Sequence, residues 1–459
     1  MSVTFNRPAP AGRPASADPL DPSTARSAIE APLTLTTEPP RPLRLTDQLA
    51  MWANLGISLF GPLTGALIAT TVGSVGLSIL AIVVGCALGA VLLGASALFG
   101  ATTGAPAMVS LRGLVGRRGS VIPTVLNVAQ NLGWATMEII VISTAAVAVV
   151  GEAWRWPFVI GAGAVATVMA VRPLGSVRLL RKVMVWLVIA ASVFLFVEVL
   201  MRPRQAIPHD AVLGFWPGVD LAVAGVVSFA PLAADYSRHS RTRGAAFWGA
   251  SLGYGLAAVA YYALGVYAVA NLGASDVITA LVTLPAGGIA LAILLVDEVD
   301  EAFANVYSTT MSVQNLLPRL DRRVVAVVIG VAATLLAGLL NFGQYQSFLF
   351  LIGSVFVPLF AVAAVDFFAV SGQHWDVSAR SPLRAVPVIA WACGFVAYQL
   401  VYPGTVSWWA AIWTRLDRAI GFVPPTWLGS SVAAIVVSGV VMLVLGKLTL
   451  SRRANAPHL

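Results

Sequence analysis

The sequence predicts an all-α protein that crosses a membrane many times and is built as an inverted repeat. Three observations carry this. The chain of 459 residues is 58% hydrophobic and only 10% charged, with a mean hydropathy of +0.86, which fits a polytopic membrane protein and not a soluble globule. Apolar runs long enough to cross a bilayer, about 20 residues each, recur along it and read as twelve spans. The first and sixth runs are each interrupted near the middle, at Gly61-Pro62 and at Ser228-Phe229-Ala230-Pro231. Proline removes a backbone donor and clashes with the preceding turn. Inside a membrane the freed groups need partners, so such breaks line cavities. Matching breaks five spans apart point to an inverted-repeat transporter with its site at the midplane.

Taken in order, residues 1–44 are rich in Pro, Ala, Ser and Thr and read as a disordered tail. No apolar core of a secretory signal lies within them. Spans 1–5 are expected at Thr46–Val72, Leu77–Ala101, Val121–Val150, Pro157–Val171 and Val183–Met201. With their loops they make a first repeat, 45–216. Spans 6–10 follow at Val219–Tyr236, Ala245–Leu272, Ala286–Leu317, Val324–Leu340 and Phe348–Val370, a second repeat over 217–371. Between spans 7 and 8, Ser275–Pro285 reads as a short re-entrant or surface helix. Spans 11 and 12, Pro387–Tyr402 and Leu428–Leu448, fill 372–450, and 451–459 is a short tail.

The basic residues fix the orientation. With the N-terminus inside, the tails and even-numbered loops hold 23 of the 28 Lys and Arg. This places both termini in the cytoplasm of a cell-membrane protein. Trp216, Trp408, Trp409 and Trp413 flank spans on the outer side as an aromatic belt. The net charge of +8 is therefore a topology signal, and neither a nucleic-acid partner nor an obligate protein partner is expected. Cys86 and Cys393 lie in apolar runs without metal-ligand spacing and read as small core residues. The four histidines fall in loops or the tail. No intramembrane histidine, metal motif or nucleophile–base pair argues for an enzyme.

Span 8 is the polar exception. Its second half, Asp297 to Asn315, carries Asp297, Glu298, Asp300, Glu301, Asn305, Ser308, Thr309, Thr310, Ser312 and Gln314 at membrane depth, where polar groups are costly and face other helices or a wet cavity. Glu301, Asn305, Ser308, Thr309 and Ser312 share one helical face. Its carbonyls, hydroxyls and carboxylate are hard oxygen donors suited to a small cation. Helix–helix hydrogen bonding explains any one of them equally well; the set as a whole reads as a pathway. The acids Asp297 and Glu301 leave a proton open as the coupling ion.

Span 3 offers Gln130, Asn131, Trp134 and Glu138, the last three on one face. Trp134 with Phe229 in the span 6 break can sandwich a flat heteroaromatic ring. Asn131, Ser228 and Glu138 can read its edge. A carboxylate only accepts hydrogen bonds, so Glu138 favours an aminopyrimidine over a purely carbonyl-bearing ring.

These residues resemble the nucleobase–cation symporter family, also called the purine–cytosine permease family. The resemblance rests on Gly104-Ala105-Pro106-Ala107-Met108-Val109 with Arg112 and Gly119, on Gly133-Trp134, and on Ala234-Asp235-Tyr236-Ser237-Arg238. Asn305-Val306-Tyr307-Ser308-Thr309, Ile352 to Leu359 and Asp366-Phe367-Phe368 extend it over residues 45–450. It implies a leucine-transporter-like fold of two inverted five-helix repeats plus two helices, working by alternating access. It further implies that the carbonyls of Asn54, Ile57 and Asn305 and the hydroxyls of Ser308 and Thr309 hold sodium. Thr310 and Gln314 join Asn131, Trp134, Glu138, Ser228 and Phe229 around the substrate.

The function expected is import of a pyrimidine-type nucleobase, cytosine first, coupled to sodium or a proton and using no other cofactor. The acids Asp297–Glu301 and Glu138 also resemble the branch associated with hydroxymethylpyrimidine. Purine, allantoin or hydantoin import is the next reading, and a ligand-sensing receptor is the alternative of another class.

Overall fold

The first expected span is two helices. In the computed structural model, which describes residues 39–171, 178–207, 212–273, 277–317 and 320–454, α1 (Leu45–Leu55) and α2 (Phe60–Val72) meet at a bend of 62°. The break falls at Gly56–Leu59, upstream of Gly61-Pro62, where the sequence pattern placed it. Pro62 sits in the first turn of α2, where a missing N–H costs no intrahelical bond. Span 6 repeats the arrangement. α8 (Phe215–Val227) and α9 (Ala230–Ser237) are separated by Ser228 and Phe229, with Pro231 again in the first turn.

Between them come α3 (Val75–Thr103), α4 (Ala107–Gly119), α5 (Val121–Val150), α6 (Arg155–Val171) and α7 (Arg178–Leu200). After α9 follow α10 (Arg243–Leu272), α11 (Val277–Val282), α12 (Gly287–Leu316), α13 (Arg322–Leu339) and α14 (Tyr345–Val365). The chain ends with α15 (Ala385–Val401), α16 (Ser407–Ile420) and α17 (Ser430–Ala454). Among the described residues, seven helical stretches are long and apolar enough to cross a membrane, and the bent α1–α2 pair makes an eighth. Shorter apolar helices stand where spans 5, 8, 9 and 11 were expected.

Three segments depart from the sequence reading. The loop after span 2 is a helix, α4, whose first amide, that of Ala107, donates to Asp235 at 2.8 Å. This contact joins two of the motif segments. Within Ser275–Pro285, Val277, Ile278, Ala280 and Leu281 of α11 are buried against neighbouring helices, so a surface helix is excluded. The tryptophans of the expected outer belt, Trp408, Trp409 and Trp413, lie on an amphipathic helix of their own, α16.

Helices five spans apart pack against each other: α2 with α8, α3 with α10, α5 with α12, and α6 with α13. The α6–α13 crossing is reciprocal. A Cβ on Gly163 would lie 1.9 Å from Thr334 Oγ1, and one on Gly330 would lie 1.9 Å from Thr167 Oγ1. Each threonine also turns its hydroxyl back on its own helix, Thr167 to Gly163 O at 2.6 Å and Thr334 to Gly330 O at 2.7 Å. Small residues thus let the two helices approach closely, the usual way helices associate in a bilayer. The same Gly-x-x-x-Thr spacing stands in both halves.

Candidate functional site

The helix breaks leave backbone groups to be satisfied, and each break has a side chain that does so. In span 6, Gln130 on α5 donates from Nε2 to the Ser228 carbonyl at 2.7 Å. The Ser228 hydroxyl donates back to Gly225 O at 2.7 Å. In span 1, the Glu298 carboxylate on α12 accepts the Leu59 amide and, at 3.3 Å, the Ser58 hydroxyl. Ser58 Oγ in turn accepts the Phe60 amide at 3.1 Å. A carboxylate therefore caps the N-terminus of α2, where the helix dipole and unpaired N–H groups favour negative charge.

Around these breaks lies one enclosed polar cavity. Trp134, Glu138, Ser228, Phe229, Glu301 and Asn305 line it, together with Ser58, Thr64, Tyr254 and Tyr345. Its free volume is about 30 Å³, room for a water and not for a ring. The walls are aromatic. Trp134 meets Phe60 edge-on at 5.3 Å and Phe348 edge-on at 5.3 Å. On the other side, Phe229 packs on Tyr254 at 4.7 Å. With so little free volume, a flat ring cannot enter between Trp134 and Phe229 unless these walls move apart.

Glu138, Glu298 and Glu301 converge here, with carboxylate oxygens all within 4.8 Å of one another. Three carboxyl groups at that spacing in a low dielectric cannot all be ionised without a counter-charge; they hold protons or a cation. Among the described residues, the cavity lining includes no Lys, Arg or His.

The expected substrate residues separate into groups. Trp134, Glu138, Ser228 and Phe229 share the cavity. Asn131 is buried next to it on α5, and neither its amide oxygen nor its amide nitrogen finds a partner. Thr310 is fully buried, and its hydroxyl is spent on Val306 O at 2.8 Å. The Gln314 and Asp297 side chains lie outside the described residues.

Of the expected cation ligands, Asn305, Ser308 and Thr309 are buried on one helix, α12. Ser308 Oγ is without a partner, whereas Thr309 donates to Asn305 O at 2.8 Å. Asn54 and Ile57 lie at the end of α1 and in the break, and the Ile57 amide donates to Asn54 O at 3.1 Å. An unpaired buried hydroxyl and carbonyls at a helix end are suitable donors for a hard cation. Sequence reasoning missed Glu298 as a site residue. Its spacing to Glu301 and Asn305 (i, i+3, i+7) carried the signal.

A second, larger recess lies between α5, α14, α15 and α16. It is lined by Leu126, Met137, Phe348, Phe395, Trp408 and Trp409. It is almost wholly apolar and lacks the convergent polar groups of a solute site.

Paired inverted halves, broken first and sixth spans and a buried polar cavity between them define a membrane transporter. The chain belongs to the family described as permeases for cytosine/purines, uracil, thiamine and allantoin, whose family profile matches residues 44–381. Among solved structures it is similar to Mhp1, a nucleobase-cation-symport-1 family transporter in a closed conformation with bromovinylhydantoin bound. The TM-score is 0.70 at 17% identity, covering 93% of this chain and 96% of that one. The inward-facing conformation of Mhp1 gives 0.66 at 16%, covering 90% and 92%. A sodium-coupled sialic acid symporter in a substrate-bound outward-open state gives 0.55 at 12%, covering 89% and 96%. These likenesses establish the leucine-transporter-like fold. No curated protein matches the chain.

Proposed function

We propose that this protein is a secondary-active importer of a pyrimidine-type nucleobase, coupled to a cation gradient and working by alternating access. The observation that carries the reading is the meeting of Trp134, Phe229, Glu138 and Ser228 in one cavity at the breaks of spans 1 and 6. In this reading the ring stacks between Trp134 and Phe229 once the walls part. Glu138, Asn131 and Ser228 then read its edge, with Thr310 and Gln314 behind them. Sodium sits between Asn54/Ile57 and Asn305/Ser308/Thr309. Glu301, with Asp297, is the alternative route for a coupling proton. The repeats are 45–216 and 217–371, both termini face the cytoplasm, and the protein resides in the cell membrane.

Cytosine is the first substrate choice. The three carboxylates favour ligands rich in N–H donors, which keeps hydroxymethylpyrimidine as the second. Proteoliposome uptake of both, against uracil and hydantoin, tests the reading. Accumulation of an aminopyrimidine that needs a cation gradient supports it. Failure to accumulate any ring under sodium or proton gradients would refute it.

A further inference from the structure

The cavity has an unbalanced set of polar groups. Glu138, Glu298 and Glu301 bring their carboxylates within 4.8 Å of one another. Among the described residues, the other ionisable groups lining it are the phenols of Tyr254, Tyr262 and Tyr345, with no Lys, Arg or His. Glu298 is committed to the α2 cap. Glu138 is 1% exposed, and its Oε2 finds no partner. Trp134 lines the same cavity and is 8% exposed, yet its indole N–H has no acceptor. A carboxylate accepts only and an indole N–H donates only. A ligand with N–H donors on one edge, an acceptor on another and positive charge would satisfy the unpartnered Glu138 oxygen and the unpartnered Asn131 amide together.

An amino-substituted nitrogen heterocycle protonated on the ring nitrogen beside its amino group meets all three needs. Its two parallel N–H groups form an amidinium-like edge that a carboxylate takes in bidentate fashion, the strong form of charge-assisted hydrogen bond. A second ring nitrogen or exocyclic oxygen remains for the unpartnered Asn131 amide nitrogen, Trp134 being taken up by the ring face.

We propose that the ring is bound and carried as this cation, with Glu138 accepting the protonated edge. The proposal rests on the ring-import reading above. The ring takes one proton from the outer solution onto its ring nitrogen, crosses as a monocation and releases that proton inside. Each ring thus moves one positive charge beyond any carried by a coupling ion. Ring basicity then becomes the selecting property. Lactam rings without a basic nitrogen, such as uracil and hydantoin, are poor ligands, and anionic rings are excluded.

The test is binding of cytosine, hydroxymethylpyrimidine, uracil and hydantoin to the purified full-length protein between pH 4 and 8.5, read by calorimetry. For each amino ring, affinity is expected to fall about tenfold per pH unit above that ring's own pKa, one proton being linked to binding. The midpoints should follow ring basicity, with uracil and hydantoin weak throughout. Glu138→Gln should weaken the amino rings at least tenfold and leave the unliganded melting temperature within a few degrees. One midpoint shared by every ring would assign the proton to the protein's carboxyls and overturn the proposal. Uracil or hydantoin bound as tightly as the amino rings, without pH dependence, would overturn it and leave ring import standing. No ring bound at any pH would remove both.

Discussion

The Glu298 carboxylate on α12 accepts the Ser58 hydroxyl at 3.3 Å and the adjacent Leu59 amide, tying the break in span 1 to span 8. The residues stand 240 positions apart in the chain. The contact gives the break a partner for its unpaired N–H and sets one acid of the cluster at the mouth of α2. Span 1 cannot shift against span 8 without breaking this contact or carrying Glu298 with it.

Removing the cap exposes its cost. Glu298→Ala leaves the Leu59 amide and Ser58 hydroxyl buried without an acceptor, a loss of about 1–3 kcal/mol. A lower melting temperature in detergent and uptake reduced at least tenfold are expected. Glu298→Gln retains an acceptor and should recover most of the stability. Equal melting temperatures for wild type and the alanine variant would show the cap to be idle.

The break in span 6 depends on Gln130. Gln130→Leu removes the donor to the Ser228 carbonyl and leaves that oxygen unpaired at membrane depth, costing about 1–3 kcal/mol. Uptake should fall more than stability, because the carbonyl sits beside Phe229 in the cavity wall. Gln130→Glu, able to donate only when protonated, should restore function only as the pH is lowered. Transport by the leucine variant at the wild-type rate would place the support for the break elsewhere.

The α6–α13 crossing offers a test by compensation. Gly163→Ala drives a methyl group against Thr334 Oγ1, and overpacking of this kind costs about 1–3 kcal/mol. Gly163→Ala with Thr334→Ala should be more stable than Gly163→Ala alone, since the two sites touch and do not add. The mirrored pair Gly330 and Thr167 should behave alike. Strictly additive melting temperatures would contradict the packing.

Outside the cavity, Arg384 pairs with Asp366 through two bonds of 2.6 and 2.9 Å, and Trp375 Nε1 donates to the same carboxylate at 2.7 Å. Asp366 is fully buried. Arg384→Ala strands that charge, at a cost of about 3 kcal/mol. Thermal unfolding should show the loss, and Asp366→Asn with Arg384→Ala should be milder than the single change.

Much of this was legible in the sequence. Membrane depth, the two broken spans and the face carrying Glu301, Asn305 and Ser308 follow from hydropathy, proline and period 3.6, all local signals. Trp134 and Phe229 could be brought together because each sits beside a break or on a polar face. The exact break in span 1 was not legible. Proline marks the first turn after a break, while the break itself at Gly56–Leu59 is fixed by Glu298 from span 8. Helix α4 was hidden because its N-terminus is held by Asp235, a contact made across the fold. The direction of the Thr310 hydroxyl, which turns to Val306 O on its own helix, was not legible either, because nothing in the sequence says which way a helical threonine turns.

The measurement that bears most directly on the central claim is accumulation of radiolabelled cytosine and hydroxymethylpyrimidine in proteoliposomes under imposed inward sodium and proton gradients. It would be run for wild type, Trp134→Ala and Glu138→Gln, with melting temperatures recorded alongside. Concentrative uptake by wild type that collapses with the gradient, and at least tenfold lower uptake by two folded variants, is the expected result. Uptake that ignores both gradients, or that survives unchanged in both variants, would contradict cation-coupled import through this cavity.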